Sequence, residues 1–115
     1  MKTQAISNQT FNGKLIFVKK VNNSLKYTDK VEQFFPKDAM SEVNKAKKMV
    51  KNEPCDVFIS RNEQKPEFYE LYANTSHQNI VDGKGGKPTY IHKSLVSTLF
   101  DTAVDCAVDN FKNIK

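Results

Sequence analysis

The chain has 115 residues, of which 38% are hydrophobic and 27% are charged, and it contains no tryptophan. This length suits one domain with a single core and is too short for two. No stretch approaches the roughly 18 apolar residues of a membrane span, and the N-terminus lacks the apolar region of a signal peptide, so we expect a cytoplasmic protein with no membrane partner.

The net charge of +5 is distributed unevenly along the chain. Residues 1–65 carry twelve lysines and one arginine against seven acidic residues, whereas residues 66–115 carry five lysines against six acidic residues. Lysine outnumbers arginine seventeen to one. This ratio argues against bidentate recognition of phosphate or guanine, for which the planar arginine side chain is preferred.

The start of the chain predicts a β-hairpin behind an arm. Residues 1–12 are polar and aperiodic, so we expect a flexible arm ahead of one domain over residues 13–115. Residues 14–21 contain an unbroken apolar run, which is typical of a central strand. Turn-forming residues at 22–24 then lead into a second strand at residues 25–31.

A helix is predicted at residues 38–52, with Asp38 placed to cap its N-terminus. Apolar side chains recur with helical spacing on one side, at Ala39, Val43, Ala46 and Val50. Lysines occupy the other side and its margins, at Lys45, Lys47, Lys48 and Lys51. Because lysines can follow phosphates while nearby aromatic rings stack on bases, these four residues define an alternative in which the protein binds nucleic acid.

The second half repeats the order of strand, strand and helix. Strands are predicted at residues 55–60 and 68–73, a polar connection at residues 74–88, and a final helix at residues 92–112. The resulting ββαββα order predicts an α+β fold, with a four-stranded, mostly antiparallel sheet and two helices packed on one face. The other sheet face would then be uncovered, and it would carry aromatic and charged side chains.

The final helix has an apolar side and an acidic side. Leu99 and Ala103 belong to the apolar stripe, so we expect both to be buried and Leu99→Ala to cost about 2 to 5 kcal/mol. Asp101, Asp105 and Asp109 follow one another at intervals of four residues on the other side. Since like charges at this spacing oppose helix formation, we expect either lysines of the first helix or a binding partner to compensate them.

Cysteine and histidine residues do not form a recognisable catalytic or metal-binding motif. Cys55 and Cys106 lie in apolar contexts and are predicted to be small core residues. A disulfide between them would require Cα atoms within about 7 Å, which the sequence leaves open. His77 and His92 have no local partner at a metal-ligand spacing. We therefore predict no catalytic residue, no metal and no cofactor.

A glycine-rich loop precedes the final helix and is a candidate for anion binding through Lys84, Gly85, Gly86 and Lys87. Free backbone N–H groups beside lysines can hold an anion. The spacing differs from that of a phosphate-binding loop, because two residues separate Gly83 from Gly86 and Pro88 interrupts the motif. A flexible surface loop without a ligand is the competing interpretation.

These patterns favour a non-enzymatic binding or protein-interaction module. Its contacts would lie on the uncovered sheet face or along the acidic row of the last helix, and the partner would be another protein or a second copy of the chain. Nucleic-acid binding by the first helix is the first alternative. An enzyme that holds an anionic substrate in the glycine-rich loop is the second.

Overall fold

The computed structural model describes residues 11–114, which form a mixed α+β fold with a five-stranded sheet and three helices. The strands are β1 Leu15–Val21, β2 Ser24–Thr28, β3 Asp56–Arg61, β4 Phe68–Asn74 and β5 Thr89–His92. The helices are α1 Met40–Val50, α2 His77–Val81 and α3 Val96–Lys112, with short 3-10 turns at Val31–Phe34, Lys37–Ala39 and Lys93–Leu95. Ten of the twelve residues predicted to form the flexible arm lie outside the described part.

The sheet has the strand order β2-β1-β3-β4-β5. β1 runs parallel to β3, and the other three neighbouring pairs are antiparallel. The predicted turn between the first two strands is confirmed: Asn22 and Asn23 both have positive φ, 51° and 65°. Two consecutive left-handed residues form the tight turn whose twist matches a hairpin, and asparagine tolerates that conformation.

The four-stranded prediction missed β5 and the parallel pair. β5 is four residues long; its first three residues were assigned to no element and His92 to the beginning of the final helix, which starts only at Val96. β1 and β3 pair in parallel because β2 returns antiparallel to β1 and α1 then crosses back before β3 begins. Such a pairing joins segments about forty residues apart, and local periodicity does not encode it.

The predicted polar connection at residues 74–88 contains α2, a helix of five residues. The Ser76 hydroxyl caps its N-terminus by accepting a hydrogen bond from the backbone N–H of Asn79 at 3.2 Å. Gly83 follows its C-terminus with φ 76°. Serine before a helix and glycine just after it are standard boundary signals, although so short a helix has no clear periodicity.

The second strand and the first helix both begin and end differently from the prediction. β2 ends at Thr28, and Val31 is fully buried in a 3-10 turn instead of extending the strand. Asp38 does not cap α1, because it lies inside the 3-10 turn Lys37–Ala39 that follows Pro36. Ala39 is the residue preceding α1, and no side chain of the described residues caps that end.

The core lies between the sheet and the two long helices, which pack on the same face. α1 contributes Val43, Ala46 and Val50, and α3 contributes a fully buried row that includes Phe100 and Val104. The strands contribute Leu15, Phe17, Val57, Ile59, Leu71 and Ile91. These are alternate residues of each strand, so they share one sheet face. The predicted packing of two helices on one side is thus confirmed.

The predicted burial of Leu99 is wrong, whereas that of Ala103 is confirmed. Leu99 is 44% exposed and Leu95 is 43% exposed, but Phe100 is inaccessible to solvent. The apolar stripe of α3 is wider than the arc that touches the sheet and α1, and Leu99 lies beyond one edge of that arc. Cys106 is also exposed and is not the predicted core residue, while Cys55 is buried.

We expect the Cys55 thiol to resist alkylation until the protein unfolds. Burial, reinforced by the carboxylates of Glu53 and Asp56, raises its pKa to about 11, so very little of the reactive thiolate forms near neutral pH. In a Cys106→Ser variant, which leaves Cys55 as the one thiol, maleimide labelling should be negligible in buffer and rapid in denaturant. Rapid labelling of the native variant would contradict this packing.

Candidate functional site

The sheet face opposite the long helices carries the most exposed apolar side chains of the strands. Alternation along the strands places Leu25 and Tyr27 of β2 and Tyr90 of β5 on this face. These side chains are 42%, 51% and 53% exposed, respectively. We call this surface the open face. Its other members are Ile16, Val18, Lys20, Phe58, Ser60, Phe68, Glu70, Tyr72 and His92.

One part of the open face is covered by α2. The His77 Nδ1 atom lies 3.0 Å from the Tyr27 hydroxyl, and the His77 ring centroid lies 5.3 Å from the rings of both Tyr27 and Phe58. This contact buries Phe58 and attaches α2 to the hairpin of β1 and β2. The rest of the face, towards the ends of β1 and β4 farthest from α2, stays open.

The uncovered part forms a groove of about 800 Å³ across the strands. Val18, Ser60 and Glu70 lie across its floor, and Ser60 pairs directly with Glu70, which pairs with Tyr90. One wall comes from the β1–β2 hairpin and the other from residues 61–64 and β5. The side chains lining the walls include Lys19, Lys20, Leu25, Arg61, Asn62, Glu63, Gln64, His77 and Tyr90. The groove thus combines charged and polar side chains with the apolar side chains of Val18, Leu25 and Tyr90.

Hydrogen bonds hold the loop on one side of the groove. The Asn62 amide nitrogen donates to Glu70 Oε1 at 2.7 Å. The Asn62 amide oxygen accepts from the backbone N–H groups of Gln64 and Lys65, at 2.9 and 2.8 Å. This arrangement engages one oxygen of the Glu70 carboxylate and fixes the turn after β3. The positive charge of Lys20 lies on the opposite wall, whereas the Arg61 guanidinium lies 5.7 Å from the centroid of the Tyr69 ring, on the helix side of the sheet.

We expect His77 to make folding stability depend on pH near its titration range. Burial lowers the pKa of His77 below 6.5, so between the folded pKa and 6.5 the unfolded chain binds more protons than the native protein. Stability is then fully present above pH 6.5 and falls as the pH decreases through this window. Urea unfolding at about pH 7.5 and about pH 5.5 measures the effect.

A His77→Gln variant should lose this dependence, while His92→Gln should retain it. The ion pair of Glu32 with Lys47 lowers the pKa of that carboxyl below 4.5, so its contribution to acid lability falls in a separate, more acidic range. An identical pH slope in the wild type and in His77→Gln would contradict the partly buried placement of the His77 ring.

The four lysines predicted to bind nucleic acid lie on α1, on the side of the sheet away from the groove. Lys45 forms an ion pair with Glu42 at 3.2 Å, and Lys47 forms one with Glu32. Lys48 and Lys51 are exposed. Exposed ion pairs contribute little to stability, so Lys45 and Lys47 can still attract an anionic partner. Two of the four side chains are nevertheless directed towards carboxylates.

The acidic row of α3 faces solvent, with Asp105 and Asp109 exposed and Asp101 partly buried. α1 and α3 are neighbours, as the compensation hypothesis requires. However, the α1 side chain that reaches Asp101 is Glu42, whose Oε1 accepts a hydrogen bond from the Asp101 backbone N–H at 3.1 Å. Within residues 11–114 none of the three aspartates forms an ion pair. The predicted lysine compensation is therefore not formed.

The glycine-rich loop has structural roles that account for two of its glycines. The backbone N–H groups of Gly83 and Lys84 donate to Ile80 O and Asn79 O, the two bonds that close a helix ending with a left-handed glycine. A side chain at Gly86 would come within 2.9 Å of the Asn110 carbonyl oxygen, so glycine permits close approach to the end of α3.

This placement does not favour anion binding. The loop meets the C-terminal end of α3, and Asn110 Nδ2 also donates to Lys87 O at 3.1 Å. The free carbonyl groups at a helix C-terminus carry partial negative charge. Lys84 and Lys87 are exposed beside that end. Their positive charges therefore already face the partial negative charge of these carbonyl groups. Anion binding by Lys84, Gly85, Gly86 and Lys87 stays a prediction without geometric support.

The groove was located only in general terms by the sequence. The uncovered sheet face was expected, but the residues that line the groove were not, because they come from five strands whose order depends on the parallel pair. The alternating pattern Leu25, Tyr27 in an exposed strand was the one local signal. Arg61, Asn62 and Glu70 gave no signal, since their proximity arises from the pairing of β3 with β4.

The fold and groove define the protein's class as a mixed α+β domain with one open sheet face. No family model, curated protein or solved structure matches the chain. Within residues 11–114 no three His, Cys, Asp or Glu side chains are grouped so as to hold a metal ion. Among the same residues, no helix is long and apolar enough to cross a membrane.

Proposed function

We propose that the protein is a non-enzymatic interaction module that binds an extended segment of a partner protein in the groove of the open face. The observation that carries this proposal is the exposure of Leu25 and Tyr90 on the two walls of a concave, preformed surface. Exposed apolar side chains grouped on one face and surrounded by polar groups are typical of protein-interaction sites. Tyrosine combines a large apolar ring with a polar hydroxyl and is enriched in such interfaces.

The groove chemistry favours a segment with alternating apolar and acidic side chains. Leu25 and Tyr90 on opposite walls provide apolar contacts, and Val18 forms an apolar floor between them. Lys20 provides charge complementary to a carboxylate, while the hydroxyl and amide groups of Ser60 and Gln64 can bond to a peptide backbone. An extended peptide presents its side chains alternately to two sides, which suits such a surface.

Selection of a random peptide display library on the immobilised protein tests the proposal. Enriched peptides should share apolar and acidic residues, and a synthetic version should bind the wild type. Leu25→Ser should weaken binding about tenfold or more, because truncation of a central interface side chain commonly costs at least this much. Lys20→Glu should weaken it further as salt is lowered, since the introduced carboxylate and the acidic side chains of the peptide are like charges and repel.

Leu99→Ser is the matched control, because Leu99 and Leu25 have the same chemistry and nearly equal exposure, 44% and 42%. Leu99 lies on α3, on the other side of the sheet, so this variant should bind the selected peptide as the wild type does. Equal losses in both variants, or peptides that bind irrespective of Leu25 and Lys20, would contradict the groove as the binding site.

Nucleic-acid binding by α1 is the second candidate, supported by the exposure of Lys48 and Lys51 beside the two paired lysines. Association with mixed oligonucleotides that weakens steeply with salt, and that disappears when Lys45, Lys47, Lys48 and Lys51 are replaced by glutamine, would support it. The groove proposal predicts that these four substitutions leave peptide binding unchanged. The two functions are thus separated by variants on opposite faces of the molecule. A cytoplasmic location stays a prediction.

A further inference from the structure

We propose that a second copy of this chain pairs with the molecule through the outer edge of β5 and the adjacent side of α3. The interface adjoins the groove at Tyr90, whose side chain lines a groove wall while its backbone groups face the sheet edge, and the two copies together would form a continuous ten-stranded sheet. The proposal rests on the backbone groups of β5, on exposed side chains of α3 and on the contrast between the two edges of the sheet.

Among residues 11–114, the hydrogen-bonding pattern leaves β5 with backbone groups that point outwards and have no partner. The Lys93 N–H donates to Glu67 O at 2.8 Å, and Asn62 N–H donates to Phe68 O at 2.9 Å. In antiparallel ladders, hydrogen-bonded pairs recur at every second residue. Ile91 therefore bonds to β4, whereas Tyr90 and His92 direct their N–H and C=O groups to the open edge.

These outward groups are self-complementary. In an antiparallel pair with its two-fold axis at Ile91, Tyr90 of one copy lies opposite His92 of the other, and the reverse pair is formed simultaneously. Each pair exchanges two backbone hydrogen bonds, so a short strand supplies four in total. The Ile91 side chains, which are buried in the core of each copy, lie on the helix side of the sheet beside the two-fold axis.

α3 offers uncharged side chains where such a copy would lie. Leu95, Leu99, Thr102 and Cys106 are exposed and recur every three or four residues along one side of the helix. Asn110 Nδ2 lies 3.3 Å from Thr89 Oγ1 near one end of β5, and Leu95 follows His92 closely at the other. The middle of α3 is therefore level with Ile91. The same two-fold axis places the uncharged stripe of one copy against the uncharged stripe of the other.

Charge selects this edge over the opposite one. β5 contains no lysine and the α3 stripe carries no charge, so two copies of a chain with net charge +5 can approach here without direct repulsion. β2, at the other edge, has Lys26 at its centre beside Lys19 of β1. A lysine on an edge strand is a common device that prevents sheets from joining, and β5 lacks it.

Sedimentation equilibrium of the full-length chain from micromolar to millimolar concentration tests the pairing. We expect a reversible monomer–dimer equilibrium in the wild type. Leu99→Lys should raise the dimer dissociation constant about tenfold or more, because it places like charges across the two-fold axis. Leu25→Lys is the control, since it adds the same charge at an equally exposed leucine of the other edge and should leave the equilibrium unchanged.

Tyr90→Pro provides a test that does not depend on the α3 stripe. It removes an outward N–H that takes no part in the pairing of β5 with β4, and an edge strand tolerates proline at such a position. Circular dichroism should match the wild type while dimerisation weakens. A wild-type chain that stays monomeric at millimolar concentration would overturn the proposal, as would dimers equally stable in Leu99→Lys and in the wild type.

Discussion

Gly13→Ala is expected to destabilise the protein by about 3 kcal/mol or more, near the upper end of what overpacking a close contact costs. Gly13 is buried where the chain enters β1, and a Cβ atom there would overlap the carbonyl oxygens of Cys55 and Val50. It would also come within 2.9 Å of Val50 Cγ1. Backbone oxygens at the end of α1 and the start of β3 cannot move aside without disturbing both elements.

Urea unfolding of Gly13→Ala and Gly85→Ala measures this effect against a matched control. A Cβ at Gly85 meets its nearest neighbour, Ile80 Cγ1, at 3.4 Å, which is ordinary van der Waals contact. Gly85→Ala should therefore change the free energy of unfolding by less than about 1 kcal/mol. A stable Gly13→Ala variant would show that the approach of residue 13 to α1 and β3 is looser than described.

Phe100→Ala is expected to cost about 3 to 5 kcal/mol, the range for removing a fully buried aromatic ring. The Phe100 side chain is inaccessible to solvent, and its ring centroid lies 5.0 Å from that of Phe35. Its loss would open a cavity where α3 meets the segment that precedes α1. Total stability of a domain this size is commonly about 5 to 15 kcal/mol, so the variant would be marginal at best.

Leu99→Ala is the control for Phe100→Ala, one residue away on the same helix. Because Leu99 is 44% exposed, we expect the loss to stay below about 1 kcal/mol, as for most surface substitutions. Thermal unfolding of both variants shows which face of α3 is buried. A loss at Leu99 comparable to that at Phe100 would mean that Leu99 is covered in solution. The proposed dimer covers Leu99 only at protein concentrations above its dissociation constant.

Those parts of the fold that local signals determine could be predicted from the sequence. The turn at Asn22 and Asn23 and the helical spacing of Val43, Ala46 and Val50 depend on neighbours within a few residues, and both were identified. β5 was missed because four residues provide too little periodicity. Asp38 was assigned as a cap from its residue type, but it lies inside the 3-10 turn after Pro36, one residue before the N-cap position of α1.

The candidate site was less accessible to sequence reasoning because its geometry is non-local. Ser60, Glu70 and Tyr90 align only because β3, β4 and β5 pair in one register. The exposure of Leu99 could not be read from the apolar stripe, since the width of the stripe does not reveal which part of it meets the sheet. The acidic row of α3 was recognisable in the sequence, but its proximity to Glu42 of α1 was not.

Amide chemical-shift mapping of the isotope-labelled protein with a selected peptide tests the central claim most directly. The groove account predicts that the largest changes fall on Val18, Lys20, Ser60, Asn62 and Glu70, with little change along α1 and the acidic row of α3. The Leu99→Lys variant should give the same map, which separates peptide binding from dimerisation. Changes concentrated at Asp101, Asp105 and Asp109, or at the lysines of α1, would contradict the account.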